Sequence, residues 1–264
     1  MGGRPAAVRS SALAIACLSC LIALAASAGA AQALPPGFTE SATISGLELP
    51  TAVRFAPGGQ VIVAEKSGLI KTFDSLSDPS ATTVADLRTE VYNSWDRGLL
   101  GIELDPGFAS NHFLYALYTR NAKIGGASPF WPTLDGTNDD CPGPVVPPDA
   151  LKPGPVNDGC VASGRLVRLQ LSPSLGSVTS SQTLIEDQWC QQFPSHSIGS
   201  MAFDSQGRLY VSAGDGASFS SSDWGQFGIP RNPCGDPPGG VGAILTPPTA
   251  EGGALRSQDL RTPA

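Results

Sequence analysis

A gapless internal repeat constrains the fold of this chain more than any other feature. Residues 53–65 (V-R-F-A-P-G-G-Q-V-I-V-A-E) align with residues 201–213 (M-A-F-D-S-Q-G-R-L-Y-V-S-A). The matched positions are Phe55 with Phe203, Gly59 with Gly207, Val61 with Leu209 and Val63 with Val211. Apolar residues alternate on both sides of each glycine-bearing turn, so each copy is predicted to be a half-buried β-hairpin.

A looser third copy occupies residues 101–118, with a longer turn through Asn111. The copies are spaced by about 49 residues or a multiple of it, which is in the range of a β-propeller blade. One such hairpin cannot bury both of its faces, so several must stack. We therefore expect an all-β fold, a β-propeller, with about four blades' worth of sequence. A β-sandwich of unrelated hairpins is the alternative.

Further strands are predicted where short apolar runs are bounded by turn residues. They lie at residues 51–55, 60–64, 68–73, 84–87, 164–171 and 182–186. The first four would complete one unit, because a propeller blade has four strands.

The N-terminus has the pattern of a secretory signal peptide over residues 1–33. Arg4 and Arg9 precede an apolar run over residues 12–26, and small residues follow it up to Ala33. This predicts a secreted or extracytoplasmic protein, in a bacterial periplasm or at the cell exterior, with no stable membrane insertion after cleavage. An uncleaved membrane anchor is the alternative, since the run is close to the length that spans a bilayer.

Composition excludes one class of partner for the remaining domain, residues 34–264. Charged residues make up 15% of the chain and the net charge is −7, so there is no basic patch of the kind that binds nucleic acid. The 31 glycines and 24 prolines are typical of a loop-rich extracellular β protein.

Four cysteines remain after removal of the predicted signal: Cys141, Cys160, Cys190 and Cys234. An even number in an exported chain favours disulfides. Local pairing would join Cys141 to Cys160 and Cys190 to Cys234, but three connectivities are open. A zinc site is the alternative, although no C-x-x-C pair occurs among these four cysteines.

Residues 121–162 form an insert without periodicity, rich in Pro, Gly and Asp. A loop of this length inside a compact domain is either functional or disordered. Its run from Asp135 to Asp140 has oxygen ligands suited to calcium but does not match an EF-hand loop. A flexible acidic loop constrained by a disulfide is the simpler interpretation.

His196 and Asp215 are the candidate catalytic residues, because they flank the hairpin of residues 201–213. A histidine can take a proton from a hydroxyl while the carbon loses a hydride. Such an oxidation needs an acceptor that protein side chains do not provide, so a cofactor is implied. The alternatives are a strand-end histidine that caps backbone groups and a turn-forming aspartate between glycines.

Asp96 and Arg97 stand just before Gly98 and have two interpretations. They are either a surface ion pair at a turn, which would add little stability, or polar groups that line the mouth of a central cavity and contact substrate or cofactor.

Three motifs resemble the glucose/sorbosone dehydrogenase family. They are His-Ser-Ile-Gly-Ser-Met-Ala-Phe at 196–203, Gly-Arg-Leu-Tyr-Val-Ser-Ala-Gly-Asp-Gly at 207–216 and Gly-Leu-Leu-Gly-Ile-Glu-Leu-Asp-Pro at 98–106. The resemblance implies a six-bladed β-propeller that binds pyrroloquinoline quinone (PQQ) and calcium and oxidises a sugar or polyol hydroxyl. It also implies an external electron acceptor, with His196 as general base at the anomeric hydroxyl and Asp215 as its partner.

The resemblance also marks two departures. Asp96 and Arg97 stand where the family has an uncharged amide pair that lines the substrate side. The family's quinone-binding cations and calcium contacts come from later blades, so we expect this chain to be an N-terminal portion. The Arg-Asn-Pro run at 231–233 resembles a cofactor-region motif of the family, but no strand is predicted before it, and we interpret it as a loop.

Two hypotheses follow. An oxidoreductase requires His196 and Asp215 to converge on one cavity at the propeller axis. A catalytically silent propeller that binds carbohydrate or protein is the alternative, since one scaffold hosts many functions. The silent propeller predicts a buried, satisfied His196 and an Asp96–Arg97 pair.

Overall fold

The computed structural model describes residues 34–122, 124–130, 162–191 and 196–214. These residues form ten strands and one short helix. In chain order they are β1 (Pro50–Phe55), β2 (Val61–Glu65), β3 (Leu69–Phe73), β4 (Thr82–Asp86), β5 (Leu99–Leu104), α1 (Phe108–Asn111), β6 (Phe113–Arg120), β7 (Ala162–Leu171), β8 (Val178–Gln191), β9 (Ile198–Phe203) and β10 (Leu209–Ala213). All of them belong to the compact unit that begins at Thr43.

The strands form three antiparallel sheets in which neighbours in sequence are neighbours in space. The strand orders are β1-β2-β3-β4, β5-β6-β7-β8 and β9-β10. Each predicted hairpin is the first pair of strands in a sheet, and the register agrees with the sequence alignment. Val53 pairs with Val63, and Met201 pairs with Val211 at the equivalent position. The internal repeat is therefore confirmed as a repeat of the sheet itself.

The three sheets pack beside one another through their first strands, β1 against β5 and β5 against β9. Every residue of β2 is buried, because the strand lies in the middle of its sheet and both faces are covered. Ile62, Ala64 and Ile70 face the main core that the sheets share, whereas Val61 and Val63 pack with Ile44 and Leu47 on the opposite face. An all-β fold with propeller-like sheets is confirmed, rather than two sheets packed face to face.

The spacing of the repeats needs one correction. The step from residue 53 to residue 201 spans two sheets rather than three, because residues 121–161 are inserted between β6 and β7 and β8 is 14 residues long. The described residues hold two complete four-stranded sheets and two strands of a third. Residues 215–264 lie outside them, so the estimate of about four blades stays a prediction.

Two elements differ from the predicted pattern. Strand β8 extends well beyond residues 182–186 in both directions, with irregular pairing to β7. The turn between β5 and β6 contains helix α1, which ends at His112 in the left-handed conformation. Neither difference changes the strand order.

The connections alternate between two ends of the sheets. We call the "turn end" the side with residues 56–60, 74–81, 105–112, 172–177 and 204–208. The "loop end" is the opposite side, with residues 49, 66–68, 87–98, 121–122, 124–130, 196–197 and 214. The predicted signal at residues 1–33 lies outside the described residues. Among the residues that are described, no helix is long and apolar enough to cross a bilayer.

Candidate functional site

His196 lies at the loop end, in the connection that leads into β9. Its side chain is exposed, and its backbone is left-handed with φ of 51°. Such a conformation is uncommon for a residue other than glycine. The next residue, Ser197, is buried. The chain therefore holds His196 at the surface while the residue that follows it is anchored in the interior.

The end of β10 fixes the backbone of His196. The N–H of Gly214 donates to the carbonyl of Ser197 over 2.6 Å. A Cβ atom on Gly214 would lie 2.1 Å from the carbonyl oxygen of His196, so only glycine fits there. Asp215 follows directly but lies outside the described residues. That Asp215 and His196 lie at one site stays a prediction. The close contact of Gly214, the residue before Asp215, with the backbone of His196 supports it.

Buried hydroxyl and amide groups lie beneath His196. The hydroxyls of Ser197 and Thr119 are 3.2 Å apart, and Ser197 donates to Oε1 of Gln191 over 3.0 Å. All three side chains are buried. These bonds join β6, β8 and the connection into β9, so the loop end has a fixed polar layer that local sequence patterns do not reveal.

Arg97 is fully buried in the same layer, with an exposed fraction of 0%. Its Nη2 donates to the backbone carbonyl of Gln191 over 3.0 Å, and its guanidinium lies 5.3 Å from the centre of the Tyr92 ring. Burial lowers the pKa of Arg97 to about 10, against smaller raising contributions from Tyr92. Asp96 is exposed. Because Arg97 is buried, it does not form the surface ion pair of the first interpretation. Its bond to Gln191 instead positions the end of β8.

Lys66 and Asn93 also lie at the loop end, and the sequence patterns did not identify them. Nζ of Lys66 donates to Oδ1 of Asn93, and the carbonyl of Lys66 accepts from the N–H of Leu99 over 2.9 Å. These bonds connect the first sheet to the approach into the second. No periodic pattern marks them, because both residues lie outside the strands.

Asp187 bonds residues at both ends of the insert at residues 121–162. Its carboxylate accepts from the N–H of Gly125 (2.7 Å), from Arg120 (2.9 Å) and from the Ser163 hydroxyl (3.1 Å). Burial acts to raise the pKa of Asp187, but these hydrogen bonds and the charge of Arg120 outweigh it and lower the pKa below its usual value. The structure thus ties residues on both sides of the insert to β8.

A groove of about 560 Å³ with a mixed polar and apolar lining runs along β1 and reaches β5 and β9. Val53 and Phe55 line it from β1, with Leu100 from β5 and Ser200 from β9. Arg54 also lines it, but this cation is paired with Glu103 over 2.8 Å.

The described residues do not by themselves fit the cofactor that the resemblance implies. PQQ carries several carboxylates and needs cations, yet Arg54 is paired with Glu103, Arg97 is buried against Gln191 and Tyr92, and Lys66 already donates to Asn93. Within the described ranges, no group of three or more His, Cys, Asp or Glu residues could hold a metal ion. Further quinone-binding cations and any calcium ligands would come from outside these ranges.

Cys190 is disulfide-bonded. Cys141, Cys160 and Cys234 lie outside the described residues, as do Asp135 to Asp140 and residues 231–233, so the pairing and the loop assignments stay predictions.

The sheet repeat and the exposed histidine beside Gly214 together define a propeller-like β protein with a polar site at one end. Residues 47–226 match the family model described as Glucose / Sorbosone dehydrogenase. The match covers more than half of the chain, and the chain belongs to this family.

Individual relatives match over part of their length. An uncharacterized protein of Synechocystis sp. is 32% identical over 98 residues, which is 35% of this chain and 24% of that protein. A crystal structure from Thermus thermophilus, described as an oxidoreductase (glucose dehydrogenase), is 25% identical with a TM-score of 0.46 and covers 66% of this chain and 39% of that one.

The PQQ-bound aldose sugar dehydrogenase of Streptomyces coelicolor is 20% identical with a TM-score of 0.47, covering 71% of this chain and 43% of that chain. This chain therefore spans about two fifths of the length of these solved proteins.

Proposed function

We propose that this chain supplies the proton-accepting part of a sugar dehydrogenase-type oxidoreductase that acts on the CH–OH group of a sugar or polyol. His196 accepts the hydroxyl proton as general base. For an aldose, the O–H and C–H bonds at the anomeric carbon break, a C=O bond forms and the product is a lactone. The hydride and its electron pair pass to an oxidant that the described residues do not supply.

The observation that carries this proposal is the exposure of His196 above a fixed, buried polar layer. A general base must reach the proton that it removes. The left-handed backbone and the contact with Gly214 hold the imidazole at the surface. A silent binding propeller predicts instead a buried His196 and a pair between Asp96 and Arg97, yet His196 and Asp96 are exposed and Arg97 is buried.

The cofactor and the compartment belong to the same proposal. Family membership supports PQQ as the two-electron acceptor, with calcium as its metal and an external acceptor downstream. The signal-like N-terminus and the disulfide at Cys190 support export, because disulfides persist in oxidising compartments. Protein sequencing of the secreted form should begin close to residue 34.

Titration of the purified chain with PQQ and Ca²⁺, followed by a dye-linked assay over a panel of aldoses, tests the function. We expect dye reduction that depends on quinone, on Ca²⁺ and on sugar, with lactone as product. Quinone binding without oxidation of any sugar or polyol contradicts a dehydrogenase. Sugar binding without quinone binding supports the carbohydrate-binding alternative.

A further inference from the structure

Trp95 occupies a position that neither packing nor backbone preference explains. It lies in the connection from β4 to β5 at the loop end, with 71% of its surface exposed and φ of 50°. The turn around it is closed by the N–H of Arg97, which donates to the carbonyl of Ser94 over 2.8 Å. Glycine is the residue that favours positive φ at the second position of a turn, and a bulky side chain there is an outlier.

The residues on either side hold this turn in place. Asn93, Ser94 and Arg97 are buried, with Arg97 bonded to the carbonyl of Gln191. Gly98 follows, and a Cβ there would lie 2.6 Å from the carbonyl oxygen of Lys66. Strained residues persist where their surroundings determine them and cluster at ligand-binding positions. The backbone at Trp95 is therefore held in place by buried neighbours, and the indole projects from it into solvent.

Trp95 and His196 both lie at the loop end, in segments that are bonded to the same residue. Arg97, two residues after Trp95, bonds the backbone of Gln191, and Ser197, one residue after His196, bonds the side chain of Gln191. One buried glutamine thus connects both segments. Asp96, beside Trp95, adds an exposed carboxylate that can accept hydrogen bonds from hydroxyl groups.

We propose that Trp95 is a sugar-stacking platform that positions a ring-form sugar beside His196. The face of an indole ring is electron-rich. One face of a pyranose presents C–H groups that carry partial positive charge, so the two surfaces are complementary. An acyclic polyol has no such flat face. This proposal rests on the proposed function, because it assigns the position of the same substrate.

Saturation-transfer NMR titrations with glucose and with its acyclic polyol, glucitol, test the platform in the full chain without any cofactor. We expect glucose to bind more tightly than glucitol. Trp95→Gly should weaken glucose binding by about tenfold, and Trp95→Phe by about threefold. Tyr210→Ser is the matched control, because it removes an aromatic residue that is 58% exposed towards the turn end, and it should leave the dissociation constant unchanged.

Several results overturn the proposal. They are an unchanged dissociation constant in Trp95→Gly, equal binding of glucose and glucitol, or no sugar binding by the unmodified chain. The melting temperature of Trp95→Gly should not fall, because glycine suits this φ; a fall of several degrees would assign the indole a structural role and also contradict the proposal.

The oxidation assay separates the two proposals. If Trp95→Gly lost sugar binding and the unmodified chain oxidised no sugar, the dehydrogenase proposal would be refuted. The proposal that Trp95 is a sugar-stacking platform would stand. Oxidation that depends on His196 but shows an unchanged KM in Trp95→Gly would refute the platform and keep the dehydrogenase.

Discussion

At the turn end, Asp204 bonds within its own turn, whereas at the loop end buried side chains bond residues that are distant in the chain. Asp204 accepts from the N–H groups of Gln206 and Arg208, both at 2.9 Å and both within the same turn. At the opposite end, Ser197 contacts Thr119 on another sheet, and Arg97 bonds Gln191, 94 residues away. The Asp204 turn is therefore built from local bonds, whereas the layer around Gln191 depends on the assembled fold.

The backbone shows the same contrast. Most of the described non-glycine residues with positive φ lie at or near the loop end: Leu49, Trp95, Asp187, Trp189 and His196. The other two, His112 and Leu175, lie at the turn end. Such conformations persist only where the surroundings impose them, so the backbone at the loop end is held in place by the assembled fold.

Arg97→Ala should have the largest effect on stability. It removes a fully buried side chain and leaves the carbonyl of Gln191 without this donor, so we expect a loss of about 4 kcal/mol in the free energy of unfolding. Urea denaturation measures this. Arg97→Met, which keeps much of the volume, should lose less.

The matched control is its neighbour, Asp96→Ala. This exposed residue should change stability by less than about 0.5 kcal/mol. Equal losses at both positions would contradict the division between a buried Arg97 and an exposed Asp96.

Gly214→Ala and Gly207→Ala compare the two ends of β10. At Gly214 a Cβ meets the His196 backbone at 2.1 Å, so we expect a loss of about 3 kcal/mol from overpacking. At Gly207 no atom lies within 4 Å, and only the φ of 77° opposes alanine, so the loss should be about 1 kcal/mol. Thermal unfolding of both variants measures the difference, and a reversed order would show that β10 does not end against His196.

Asp105→Asn tests the local bonding of the turn end through its pH dependence. Burial acts to raise the pKa of Asp105, but hydrogen bonds from Asn111, Gly107 and Tyr115 and the charge of Arg168 outweigh it and lower the pKa below 3.8. Stability from this carboxylate is therefore present above pH 3.8 and is lost as the pH falls through the lowered value.

Urea unfolding at pH 6 and pH 3 should show a smaller acid-induced loss in Asp105→Asn than in the unmodified chain. At pH 6 the variant should lose about 1 kcal/mol. Tyr115→Phe keeps the carboxylate and removes one of its donors, at 3.0 Å, so it should reproduce part of the change. An unaltered acid dependence in both variants would contradict the role of these bonds.

The turn end and the strands could be predicted from sequence because their determinants are local. Alternating apolar residues and the glycines at positions 59 and 207 located the hairpins, and all three repeats proved to begin a sheet. The short helix α1 and the full length of β8 were missed, since both depend on irregular local geometry rather than on a clear period.

The loop end could be predicted only in part. His196 was identified from its position beside a hairpin and from the family motif, but the burial of Arg97 was not foreseen. Gln191, Ser197 and the Lys66–Asn93 bond carry no sequence signal, because their partners are distant in the chain. Trp95 was also missed, since nothing in its local sequence indicates a left-handed backbone at a tryptophan.

A direct comparison of the two histidines tests the central claim that proton transfer occurs at the loop end. His196→Ala should lower the rate of dye-linked sugar oxidation by about 10²- to 10⁴-fold, the usual contribution of a general base. His112→Ala changes the other histidine, at the turn end, and should leave the rate unchanged. Full activity in His196→Ala, or equal losses in the two variants, would contradict the account.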